Sequence, residues 1–175
     1  MIRSNNNKIG IFGGSFDPAH RGHLEISKIA IEKLSLNKLY WYVTKKNPLK
    51  KKTFFSLSER IKRSKVVTNK IRKIKIKYLE DKIKSTNTID LVKYLKKKDK
   101  KTTFFLIIGS DNLIKFHKWK EWKLLVELTK IVVFSRKYYD IKAKKSVILK
   151  KVKKIIFIKN KPINISSTRI RKNLS

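Results

Sequence analysis

The sequence predicts an α/β protein: a Rossmann-like open parallel sheet with helices on both faces and a short C-terminal helix. Short β-rich apolar runs alternate with segments of helical period, the pattern of parallel strands joined by crossover helices. In addition, four of the five glycines of the 175-residue chain fall between Gly10 and Gly22, at the first junction of strand and helix. The length and the 41% hydrophobic content suit one compact domain over residues 1–175.

Residues 8–12 form the first apolar strand and Gly13-Gly14 a tight turn. Leu24, Ile26, Ile29, Ala30 and Leu34 then follow at roughly helical spacing. Such a junction leaves backbone N–H groups at the positive end of a helix, where phosphate binds readily. His20 and His23, three apart at the helix entry, share one face. A plainer reading makes Asp17 a cap, Pro18 a first-turn residue and both histidines surface residues. Two histidines together with a glycine pair at one junction favour a built site.

Further strands are expected at residues 39–44, 74–79, 103–108, 130–135 and 155–159. Helices are expected at 56–69, 88–97 and 121–129, the first capped by Ser56 or Ser58 with Glu59. Residues 137–154 carry the weakest pattern, that of a mobile connection or a charged helix, and no function is placed there. Ligands of open parallel sheets collect outside the carboxyl ends of the strands. Gly13-Gly14, Asn47-Pro48, Gly109-Ser110-Asp111 and Arg136 all fall just after strands, so one crevice can gather them.

Cysteine is absent, which removes thiol catalysis, disulfides and Cys-ligated zinc together. There is no Gly-Lys dipeptide, hence no Walker-type phosphate loop, and no GxGxxG fingerprint. With two of three histidines in one motif, no histidine-rich metal site is expected. The N-terminus lacks an apolar signal core, and no run approaches the roughly twenty apolar residues of a membrane span. A soluble, cytoplasmic protein is expected. The formal charge of +35 raises nucleic-acid binding as a rival function. The excess is mostly lysine, spread along the chain amid surplus Ile and Asn, as codon bias in an AT-rich genome produces. A solvated lysine coat that helps collect anionic substrates is the favoured reading, and no specific nucleic-acid partner is expected.

Near the C-terminus, Ser166, Ser167 and Thr168 precede Arg169 and Arg171 at the start of a short helix. Hydroxyls at a helix start suit phosphate oxygens, and arginine adds planar charge-assisted donors. A serine-capped helix with surface arginines explains the same residues equally well when they are taken alone.

The run GGSFDPAHRGH closely resembles the HxGH signature of the nucleotidyltransferase superfamily, in the GGxFDPxHxGH form of nicotinate-nucleotide adenylyltransferases. The C-terminal ISSTRIR resembles a second superfamily signature, and IIGSDNL followed by Trp119 is similar to a strand-end segment that contacts the nucleotides. The resemblance implies transfer of AMP from ATP to nicotinate mononucleotide, with ATP and the mononucleotide as partners and Mg²⁺ held mainly by substrate phosphates. It implies catalytic roles for His20, His23 and Arg171, and ATP contacts from Gly13, Gly14, Ser15, Phe16, Gly109, Asp111, Ser167 and Thr168. On the acceptor side it implies Lys50, Thr88 and Trp119, with Arg136 a weaker phosphate contact. Alone, Trp119 also reads as a core aromatic, Asp111 as a helix cap and Arg136 as a solvated cation, while His117 reads as surface. Asn87 and Lys120 stand where the family commonly has aromatics. The runner-up is a phosphopantetheine adenylyltransferase-like enzyme, which the glycine pair and the full ISSTRIR motif disfavour.

Overall fold

The structure, a computed structural model, describes residues 7–45, 53–136, 138–152, 154–160 and 165–174. In chain order the elements are β1 (Lys8–Gly14), α1 (Arg21–Lys33), β2 (Lys38–Val43), α2 (Leu57–Thr68), β3 (Ile74–Lys77), α3 (Glu80–Ile83), α4 (Thr88–Lys98) and β4 (Thr103–Gly109). They continue with α5 (Ser110–Lys115), α6 (Trp122–Leu128), β5 (Lys130–Phe134), α7 (Asp140–Lys144), α8 (Val147–Lys151), β6 (Ile155–Ile158) and α9 (Ser167–Lys172). All six strands are parallel, in the order β3-β2-β1-β4-β5-β6. The chain therefore leaves β1 toward one edge, returns, and builds the other half from β4. Adjacent β1 and β4 are the switch point, and their carboxyl ends open a crevice between diverging loops.

Alternating side chains feed two cores, one on each face of the sheet. Ile11, Leu106, Ile108, Ile131 and Val133 pack beneath α4, α5, α6, α7 and α8 through Val92, Leu113, Leu125, Ala143 and Ile148. Phe12, Trp41, Ile107, Val132 and Phe134 point the other way, against Ala30, Leu24 and Ile29 of α1 and Leu57 and Ile61 of α2. Trp41 is fully buried, and its indole N–H donates to Ser27 Oγ at 2.8 Å. That satisfies the one polar atom that would otherwise make its burial costly.

The expected Rossmann-like sheet with helices on both faces and a short C-terminal helix is present, and three of its details differ from expectation. Gly13-Gly14 is not a turn: β1 runs through Gly14, no described glycine has a positive φ, and the left-handed residue at the bend is Phe16 at φ 45°. Of the two alternatives for residues 137–154, a mobile connection or a charged helix, the described part takes the helical one, as two short helices in place of one. These, α7 and α8, are anchored by the fully buried Ala143 and Ile148. Two further short helices, α3 and α5, went unexpected because elements of four and six residues span too few turns to show a period. For α2 the cap is Ser56, whose Oγ accepts from Glu59 N at 3.2 Å.

Candidate active site

The start of α1 is capped by His20, with neither Asp17 nor Pro18 in that role. The His20 Nδ1 atom accepts from Gly22 N at 3.0 Å, and His23 Nδ1 accepts from His20 N at 3.3 Å. This reciprocal box consumes amides that were expected to await phosphate. It gives something in return. A neutral imidazole whose Nδ1 accepts must carry its proton on Nε2, so both rings are fixed as Nε2–H donors. The ring centroids lie 3.9 Å apart. Gly22 is required by close approach: a Cβ there would stand 2.8 Å from His20 Cε1 and Nδ1.

Both imidazoles are held neutral. Burial pushes His20 down to about 4, with the charge of Arg136 adding to it. His23 is driven well below the usual histidine range, first by burial, then by the charges of His20 and Arg136. The burial has an identifiable source: Phe16 lies 5.0 Å, Trp41 5.9 Å and Phe12 6.0 Å from the His23 ring, with Phe16 stacked on Trp41 at 4.7 Å. The Phe16 ring is only 2% exposed. What Phe16 can offer a nucleotide is its bend in the backbone.

Segments from opposite ends of the sequence, residues 17–18 and 167–171, meet over this site. Ser167 Oγ donates to Pro18 O at 2.9 Å across 149 residues, and the Arg171 guanidinium donates to Asp17 O and lies 3.8 Å from the Asp17 carboxylate. Arg171 Nη2 also donates to Thr168 Oγ1 at 3.1 Å. The Ser167 proton is thereby committed to protein, whereas the Thr168 hydroxyl oxygen accepts from Arg171. Asp17, 1% exposed, accepts from Phe54 N and Phe55 N at 2.9 Å each. Ser166, not Ser167, caps α9 by accepting from Arg169 N at 3.2 Å.

Across the switch point, Gly109 ends β4 and Asp111 enters the first turn of α5 without capping it. Arg136 Nη1 donates to Asp111 Oδ2 at 2.9 Å, while Asp111 Oδ1 is buried without a partner. A Cβ at Gly109 would strike Asp111 Oδ1 and come within 3.0 Å of Arg136 Nε. Gly109 therefore gives the ion pair its room, and Arg136 is part of the site's positive field.

Thr88 opens α4 and Trp119 follows a short turn, its ring 4.9 Å from Phe116. Lys120 donates to Asp90 at 3.2 Å and Lys93 to Glu121 at 2.7 Å, which brings these two segments together. An open cleft of about 550 Å³ beside them is lined by Lys45, Glu80, Asp81, Lys84, Ser85, Thr86 and Asn87. Lys50 and Asn47-Pro48 lie outside the described residues. His117, expected at the surface, is half-buried, its Nδ1 enclosed without a partner.

Sequence reasoning missed Arg60, a 1% exposed arginine of α2 that hydrogen-bonds the ends of both β1 and β2. A signal was present. Arg60, Ser64 and Thr68 recur at intervals of four in a lysine-rich helix, and those three are its buried face.

A parallel sheet of this order, with paired imidazoles and a guanidinium around a strand-end crevice, defines a nucleotide-binding α/β protein of the phosphate-transfer kind. The chain belongs to the cytidylyltransferase-like family, whose model matches residues 11–173. It is 46% identical to the probable nicotinate-nucleotide adenylyltransferase of Pelagibacter ubique, over 98% of this chain and 99% of that one. To the corresponding probable enzyme of Aquifex aeolicus it is 35% identical, over 90% and 98%. Among solved structures it superposes on the Plasmodium falciparum nicotinic acid mononucleotide adenylyltransferase complexed with NaAD. The TM-score is 0.76 and the identity 26%, over 97% of this chain and 84% of that one. The resemblance carried by GGSFDPAHRGH and ISSTRIR is borne out.

Proposed function

We propose that the protein, acting as one nucleotidyltransferase domain, transfers AMP from ATP to nicotinate mononucleotide, giving deamido-NAD and pyrophosphate. The observation that carries this reading is the pair of Nε2–H donors at the start of α1, roofed by the Ser167–Pro18 and Arg171–Asp17 contacts. A phosphate oxygen of the mononucleotide attacks the α-phosphorus of ATP. The bond to the bridging oxygen breaks, and pyrophosphate leaves with the electron pair. The substrate is its own nucleophile, so the protein must hold two polyanions in line and stabilise the charge that grows between them.

His20 and His23 donate to the ATP phosphates, and His23, in its aromatic wall, is the transition-state donor. Thr168 and Arg171 hold the β- and γ-phosphates, with Ser167 fixing the α9 start against Pro18. The exposed Gly13 and the Gly14–Ser15 backbone border the nucleotide. Gly109, Asp111 and Arg136 face it from the ends of β4 and β5, the Asp111 carboxylate serving as a ribose-hydroxyl acceptor. Thr88, Trp119 and Lys50 serve the acceptor. Among the described residues no three His, Cys, Asp or Glu side chains group to hold a metal. Mg²⁺ would be held chiefly by triphosphate oxygens and water, lending charge to the departing pyrophosphate.

Relatives named as nicotinate-nucleotide adenylyltransferases support this acceptor. Among the described residues no helix is long and apolar enough to cross a membrane, in keeping with a cytoplasmic enzyme. The test is incubation with ATP, Mg²⁺ and each of nicotinate mononucleotide, nicotinamide mononucleotide and phosphopantetheine, with products separated by chromatography. Deamido-NAD as the main product supports the proposal. Turnover confined to phosphopantetheine, or salt-sensitive RNA binding without turnover, contradicts it.

A further inference from the structure

Arg60 spends its guanidinium entirely on main-chain carbonyls. Nη1 donates to Ser15 O and Thr44 O, both at 2.7 Å, Nη2 to Lys45 O at 2.8 Å, and Nε to Phe55 O at 3.1 Å. Ser15 follows β1 on the donor side of the site; Thr44 and Lys45 leave β2, and Lys45 lines the cleft that also contains Glu80 and Asn87. The Lys45 peptide is gripped from both sides, since its N–H donates to Glu80 Oε2 at 2.8 Å. The peptides of Phe54 and Phe55 are tied in turn to Asp17, the residue that Arg171 touches.

A buried cation is costly unless its donors are filled and counter-charges stand near. Asp17 and Glu80, the acids that act on Arg60, lie one on each side of this junction. A helix face that needed only to pack on β1 and β2 would carry an apolar residue here, as Leu57 and Ile61 do nearby. Lysine, abundant in this chain, has a single point charge and cannot bridge four carbonyls with a planar fork.

We infer that Arg60 is a positioning residue that locks the β1 exit, which leads through the Phe16 bend to the paired histidines, to the β2 exit on the acceptor side. Through it, occupancy by the donor nucleotide is felt at Thr44 and Lys45. The inference rests on the proposed two-substrate reading, and the experiment separates the two. Arg60→Lys keeps the charge and removes the fork, and Glu80→Ala releases the other side of the Lys45 peptide from the half-buried end of α3. For each protein, kcat and the KM of each substrate are measured. Hydrogen exchange at Thr44 and Lys45 is followed with and without α,β-methylene-ATP.

In Arg60→Lys, kcat/KM for nicotinate mononucleotide should fall about tenfold to a hundredfold while the ATP analogue still binds within about threefold, because misplacement of one reactant is penalised steeply. The analogue should slow exchange at Thr44 and Lys45 in the wild type and not in the variant. In Glu80→Ala the same split should appear at a few-fold size, and it serves as the test if Arg60→Lys does not fold. A purely structural arginine would lower thermal stability with both KM values and the exchange response unchanged, and that result overturns the inference. If the wild type turns over no acceptor, the proposed function fails, and the exchange response alone decides the role of Arg60.

Discussion

Around His20 and His23 the site is held by hydrogen bonds that span two or three residues, whereas around Thr88 and Trp119 it depends on ion pairs between residues 28 and 30 apart. The histidine pair is thus specified almost wholly within one stretch of chain, with Gly22 leaving room for the ring that caps the helix, and only its roof of Ser167 and Arg171 comes from far along the chain. The proposed acceptor side would be assembled from α3, α4 and the turn before α6, none of which contains the site by itself. A self-capping motif fixes donor atoms and tautomers before any ligand arrives. A site gathered across elements fixes position only as well as the intervening packing does.

The contrast breaks most visibly at His23. Replacing His23 by Ala should lower kcat by roughly two orders of magnitude or more with the fold retained, as loss of one preorganised donor to developing charge does. Steady-state pyrophosphate release alongside a circular dichroism melt checks this, and near-normal turnover removes His23 from the mechanism. Gly22→Ala probes the same scaffold from behind: the added methyl meets the His20 ring at 2.8 Å and Ile165 Cγ2 at 3.2 Å. The ring can swing away, so the protein should fold while turnover drops about tenfold or more. Unchanged turnover would mean that the box does not hold His20 in place.

On the acceptor side, Trp119→Ala should raise the KM for the mononucleotide about tenfold, the size of one lost base-stacking contact, and leave the KM for ATP unchanged. Equal rises in both would show that Trp119 supports the site only through Phe116 and the core.

The smallest expected effect is a pH dependence. His20 titrates at about 4 in the folded protein against an ordinary 6.5, so between those values the unfolded chain binds a proton that the folded chain refuses. Stability is therefore full above pH 6.5 and declines as pH falls toward 4, and His23 acts in the same direction. Thermal melts from pH 7 to pH 4 should show a decline that is shallower in His20→Gln. Equal slopes would place the acid sensitivity elsewhere.

The two regions differ also in how far they can be read from the chain. GGSFDPAHRGH announces a strand-helix junction with two histidines because glycine is otherwise scarce and the periods change abruptly there. All six strands were readable for a similar reason, each being an apolar run of branched or aromatic residues. The cap identity was not, since an N-terminal Asp is a commoner cap than His and only the folded backbone puts Asp17 against Phe54 and Phe55. Arg60 was hard to see for the opposite reason: among 47 lysines and arginines one more basic residue carries no weight by itself. Its place on the buried face with Ser64 and Thr68 is a local signal, whereas the sheet-end carbonyls it reaches are not encoded by its neighbours in sequence. The short α7 and α8 likewise exist through the buried Ala143 and Ile148, contacts that no local period encodes.

Both histidines wait as neutral Nε2–H donors, fixed by the amides of Gly22 and His20. Long-range ¹H–¹⁵N correlation of the imidazoles at pH 7 in the free protein tests it directly. Two neutral rings protonated at Nε2 with unprotonated Nδ1 are expected, with new hydrogen-bond shifts at Nε2 when α,β-methylene-ATP is added. An imidazolium on either residue, or an Nδ1–H tautomer, in the free protein would contradict it.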